Sequence, residues 1–124
     1  MVCALFSPLA GAQNYPSKPI RWIVPSTPGD GSDAMGRMIA DRLSREIGQT
    51  VFIENKPGAG GVIGTDIVVK ASPDGYTLLL TADSAMVINP ALYKNTGFDP
   101  IKDFEPVGSV ATAGYVLVAH PNFP

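Results

Sequence analysis

Apolar positions along the chain alternate between short continuous runs and stripes spaced three or four residues apart. "IRWIV", residues 20–24, is a run rich in β-branched residues between Pro19 and Pro25, the pattern of a buried strand. "SDAMGRMIADRLSREIG" follows, with Met35, Met38, Ile39, Leu43 and Ile47 at helical spacing and charged residues between them. Ser32 or Asp33 suits the N-cap of that helix, and Gly48 suits the left-handed residue past its end. "TVFIE" (50–54) predicts a second strand. A second helix is expected from roughly Gly61 to Ala71, with Val62, Ile63, Ile67 and Val68 facing inward. Pro73, Asp74 and Gly75 mark a tight turn. "YTLLLTA" (76–82) reads as a third buried strand. "DSAMVINPALY" is helical in part, with a break expected at Asn89-Pro90, and "FDPIKDF" is irregular. One or two further strands are expected at about 106–112 and 115–119.

The order β-α-β-α-β, with connections long enough for right-handed crossovers, predicts the α/β class: a parallel sheet flanked by helices. Ligands of such sheets sit at the carboxyl ends of the strands. Three loops share that edge: 25–33, 55–61 and 81–85.

The first of them, "PSTPGDGSD", runs from a strand into a helix. The first amides of a helix lack internal partners and carry partial positive charge, so an oxyanion fits there. Thr27 and Ser32 offer hydroxyl donors, yet Asp30 adds a negative charge. "TADSA" (81–85) repeats the arrangement with Thr81, Asp83 and Ser84. For each loop the plain alternative is a capped turn without a ligand. "PGAGGVIG" invites a dinucleotide reading, but Gly58, Gly60 and Gly64 are spaced G-x-G-x-x-x-G, and four residues separate them from the strand. Asp83 is the acid that such a reading would use, and a tight turn beside a closely packed helix is the alternative.

Composition narrows the function classes. The 124 residues suit one small domain or part of a larger one, and 45 % apolar content supports a core. A net charge of −2 with no basic run argues against nucleic acid. No apolar stretch approaches the ~20 residues of a membrane span. "MVCALFSPLAGAQ" reads as the rear part of a secretory signal ending in Ala10-Gly11-Ala12, and the lone Cys3 would leave with it. Catalytic signals are thin. His120 stands alone near a strand end, and Asp99, Asp103 and Glu105 surround Lys102 as a solvated face. No metal-ligand spacing occurs, and Trp22 belongs to the core.

Long ordered blocks then carry a resemblance: "YPSKPIRWIVPSTPGDGSD", "IGQTVFIENKPGAGGVIGTD", "ASPDGYTLLL", "INPALYKNTGFDPIKDFEPVGSVA" and "VLVAHP". The chain resembles the extracytoplasmic receptors of tripartite tricarboxylate transporters, the Bug-type solute-binding proteins. The resemblance implies a type II periplasmic binding protein, in which two α/β lobes close on a small carboxylated solute and deliver it to membrane transporter subunits. It implies a periplasmic location, no enzyme activity and no cofactor. Only the first lobe is represented, which suggests a signal remnant at 1–12, a partial lobe at 13–110 and the start of a crossover at 111–124.

In the family the first loop commonly reads P-F-A-P-G-G-G-T-D, matched here by Pro25 through Asp33. The resemblance assigns ligand binding to Ser26, Thr27, Gly29, Asp30, Gly31, Ser32 and Asp33, and to Thr81, Ala82, Asp83 and Ser84. Asp30 stands where the family has glycine. Two like charges ~5 Å apart at an effective dielectric of ~20 repel by roughly 3 kcal/mol. Either Asp30 points away, or the solute is cationic or neutral at that end. A nucleotide-binding α/β enzyme fragment and a non-functional truncated remnant stand as the alternatives.

Overall fold

The structure is a computed structural model that describes residues 15–114 and 116–121. The secretory reading of residues 1–12 lies outside the described residues. Strand β1 (Ile20–Val24) leads into helix α1 (Gly31–Ile47), and strand β2 (Val51–Asn55) into a short turn at Ala59–Gly61 and helix α2 (Val62–Val69). Strand β3 (Thr77–Leu79) follows, and a wide helical turn, Ser84–Ile88, runs directly into α3 (Asn89–Leu92).

The sheet is parallel with order β2-β1-β3. Ile20 pairs with Val51, and the register holds to Val24 and Asn55; Arg21 through Ile23 pair with Thr77 through Leu79. The β3 ladder continues past its core, since Arg21 N donates to Tyr76 O (2.8 Å) and Leu80 N to Ile23 O (2.9 Å).

Alternation along the strands sorts the side chains by face. Ile20, Trp22, Val51, Ile53 and Leu78 gather with Ala40, Leu43 and Ile47 of α1. Ile23, on the other face, is fully buried. Arg21 and Lys56 ion-pair with Glu54 at 3.4 Å and 2.7 Å, the former at an angle that makes no hydrogen bond. The chain steps from β1 outward to β2 and then crosses back over β1 to β3. Right-handed connections therefore place α1 and α2 on opposite faces.

Small residues, rather than the expected large ones, set the closest approaches. Gly36 and Ala40 are the buried apolar positions of α1, while Met38 is 69 % exposed. A Cβ on Gly36 would stand 2.6 Å from Leu80 Cδ2. In α2, Gly64 and Thr65 are buried, and Ile63, expected inside, is half exposed. Gly64 lets the helix touch both Pro25 and the Lys56 carbonyl, where a Cβ would come within 2.9 Å of backbone.

Two expectations fail. Asn89-Pro90 does not break the helical segment; the proline sits in the first turn of α3, where no amide donor is needed. The strands expected at 106–112 and 115–119 do not form among the described residues. Val107, Val116, Leu117 and Val118 are each more than four-fifths exposed. A β-branched run becomes a strand only when a ladder partner takes its backbone groups, and none of β1 to β3 pairs with this segment.

Candidate functional site

Because β1 is central and its neighbours were added on opposite sides, the loops leaving β1 and β3 diverge toward different layers. That reversal opens a crevice at the carboxyl edge. The structure has a concavity of ≈130 Å³ there. Pro25, Ser26, Asp30 and Ser32 line it from the first loop, Gly60 and Gly61 from the second, and Leu80, Thr81, Ala82 and Ser84 from the third.

The first loop is built from its own polar groups. Gly29 takes φ +87°, a left-handed turn that glycine accepts without strain. Asp30 is the N-cap of α1, in place of the expected Ser32 or Asp33, and its Oδ1 accepts the Asp33 amide at 2.8 Å. Asp33 is 3 % exposed. Its carboxylate accepts from the Gly29 amide (2.8 Å), Arg37 Nε (3.0 Å) and Asn55 Nδ2 (3.0 Å). Arg37 adds an ion pair at 2.9 Å. The Arg37 hydrogen bond, then the Gly29 amide, hold the Asp33 carboxyl down at about 2 against the opposing effect of burial.

Asn55, the last residue of β2, also donates to Ser26 O (3.2 Å) and accepts from Arg37 Nη2 (2.9 Å). One amide thus ties loop, helix and neighbouring strand together. Ser26 Oγ is closed off from solvent without a hydrogen-bond partner.

The second loop turns through four consecutive positive φ values, Gly58 to Gly61. Buried Asn89 donates Nδ2 to Gly60 O at 2.7 Å, and Thr65 Oγ1 donates to Gly61 O at 2.9 Å. The third loop is held less firmly. Thr81 Oγ1 donates to Ala82 O at 3.3 Å, and Asp83 caps nothing and lies exposed.

Of the residues singled out from sequence, Ser26, Asp30, Ser32, Thr81, Ala82 and Ser84 come together on the concavity. Thr27, Gly29 and Gly31 lie in the same loop without lining it, and Asp33 and Asp83 are also outside the lining. Gly60 and Gly61 also line it; the sequence places loop 55–61 on this edge, but neither glycine was assigned to the solute. Hydroxyls, backbone groups and one carboxylate form the polar lining. Such a set can hold and orient a small polar molecule, and it presents no nucleophile–base pair.

Residues 35–124 match the family described as the tripartite tricarboxylate transporter family receptor. The chain belongs to this family. A UPF0065 protein of Bordetella bronchiseptica is 43 % identical over 110 residues, which are 89 % of this chain and 33 % of that relative. This receptor chain therefore spans about a third of the length of the curated relatives it matches. Among solved structures, the periplasmic binding protein BugD superposes with TM-score 0.69 at 41 % identity, over 76 % of this chain and 31 % of its own. MatC of Rhodopseudomonas palustris with bound malate gives 0.68 at 33 % identity, over 75 % and 32 %. R. palustris Rpa4515 with adipate gives 0.67 at 35 %, over 69 % and 29 %. The receptor fold seen here, three parallel strands with flanking helices, corresponds to part of a first lobe.

Proposed function

We propose that this chain supplies the first-lobe half of an extracytoplasmic receptor, which captures a small carboxylated solute and passes it to a tripartite tricarboxylate-type membrane transporter. The observation that carries this reading is the convergence of three loops, from three adjacent strands, on one concavity at the switch point of the sheet. The malate and adipate held by two structural relatives support a carboxylate as the solute class. The periplasmic relative supports the same compartment for this chain.

In this reading Ser26 and Ser32 form one wall, with Thr27, Gly29 and Gly31 shaping the loop behind them, and Thr81, Ala82 and Ser84 form the opposing wall. Asp33 acts on the solute indirectly: its bonds to Gly29, Arg37 and Asn55 set the shape of the first wall. Asp83 stands at the rim. A single lobe leaves one side of the solute wet, whereas tight small-ligand sites enclose 70 % or more of the ligand, so affinity for the isolated chain is expected in the millimolar range.

The test is an amide-resolved NMR titration of the 124-residue chain with malate, adipate, citrate and glutamate, with NAD as the competing class. Shifts confined to residues 26–32, 60–61 and 81–84 with one or more carboxylates support the reading. Silence toward every carboxylate overturns it, and NAD shifts centred on residues 58–64 redirect it to a nucleotide.

A further inference from the structure

The concavity has a charge of one sign. Asp30 is the sole ionisable residue among those lining it, and no lysine or arginine reaches it. Arg37, the nearest base in the first-loop network, is committed to Asp33 and Asn55. The Asp30 carboxylate is also held in place. Oδ1 accepts the Asp33 amide, which fixes the side chain against the helix end, and Oδ2 accepts nothing from the described residues. Asp30 lines the concavity, so its charge belongs to the site.

This placement changes what the helix end can hold. The third amide of α1 is occupied by an internal carboxylate, and the partial positive charge of the helix is already met by a full negative one. A second carboxylate at this end would meet repulsion with no cation to offset it.

We infer that the solute presents an ammonium group to Asp30, making the preferred ligand an amino-substituted carboxylate rather than a plain di- or tricarboxylate. This rests on the receptor reading above and adds the chemical class of one end of the solute. The ammonium donates to the free Oδ2, and the carboxylates turn toward the hydroxyls and amides of Ser32, Thr81 and Ser84. Asp30 acts as a specificity-determining residue whose substitution reorders ligands rather than abolishing binding.

A matched series isolates the group: aspartate, malate and succinate share a four-carbon dicarboxylate frame and differ at one carbon by ammonium, hydroxyl and hydrogen. Titrations of the 124-residue chain, followed at the amides of residues 29–33 and 81–84, are expected to rank aspartate about tenfold tighter than succinate, with malate between, as for one charge-assisted hydrogen bond. Asp30→Asn keeps a capping side chain and removes the charge, so the series should collapse to within about twofold. Asp30→Gly, the residue common in the family, should do the same if the cap proves essential for neither variant's fold. Equal or tighter binding of succinate or malate by the wild-type chain overturns the inference and leaves the receptor reading standing. Absence of shifts with all three overturns the inference, and the wider carboxylate panel then decides the receptor reading. A preference for aspartate that survives Asp30→Asn removes Asp30 from the account.

Discussion

The loop after β1 and the loop after β3 face each other across the concavity, have similar composition, and are made in opposite ways. In the first, both carboxylates are spent on the fold: Asp30 caps a helix and Asp33 collects the Gly29, Arg37 and Asn55 donors, while Asn55 anchors the Ser26 carbonyl. In the second, Thr81 makes one long bond to its neighbour and Asp83 leaves the helix end uncapped. One wall is held by carboxylates tied to neighbouring amides and to Arg37. The other is held by few such bonds. A polar residue at a sheet edge therefore says little about binding until its hydrogen-bond partners are known.

Substitutions can separate the two walls. The largest effect is expected from Gly64→Ala, whose Cβ would meet Pro25 and the Lys56 carbonyl at 2.7–2.9 Å and push the first wall off the second. Overpacking against backbone should cost about 3 kcal/mol, read as a lower urea midpoint. Asn55→Ala should come next, at about 1–3 kcal/mol, because it strips partners from Ser26, Asp33 and Arg37 together. Hydrogen exchange should then quicken at residues 27–30 and stay unchanged at 81–84; equal quickening of both would erase the contrast.

Acid probes the same network. Asp33 titrates at about 2 in the fold against an ordinary 3.8, so the unfolded chain binds more protons between those values. Its contribution is complete above about pH 4 and is lost as pH falls toward 2. Asp33→Asn should therefore flatten the decline of urea midpoints across that window. Part of the slope should persist, because the Lys56 bond lowers Glu54, the Tyr76 amide lowers Asp74 and the Lys102 bond lowers Asp99. Asp30→Ala should cost about 1 kcal/mol as a lost cap, and Asp30→Asn much less. The smallest change in stability, under about 0.5 kcal/mol, is expected for Ser84→Ala, which touches only the unspent wall. If solute shifts also survive that substitution, the third loop is not a binding wall.

The sheet and its main helix were legible in the sequence because β1 and α1 are each specified by local pattern: β1 occupies 20–24 as read, and Gly48 closes α1 in the left-handed region. The cap was misread for a physical reason. Asp30 and Asp33 are chemically equivalent candidates, and what reserves Asp33 for Arg37 and Asn55 is a partner 22 residues away in sequence. The inward faces of the helices were misread because hydrophobicity favours Met38 and Ile63, whereas a helix lying close on a sheet needs Gly36 and Gly64. The runs near 106–119 have strand composition without a ladder, a lack that composition does not register. Of the site, the edge on which it sits follows from strand order, and the capping role of Asp30 from coordinates alone.

The order β2-β1-β3 also acts as a ruler. The strands that carry the two facing walls, β1 and β3, are ladder neighbours, so their ends stand one spacing apart, about 5 Å, whatever side chains occupy the loops. Sequence drift in residues 25–33 or 80–84 can repaint the walls, but it cannot widen the gauge on which they are mounted. The spacing of the two loops is thus set by backbone hydrogen bonds, and the chemistry they present by their side chains.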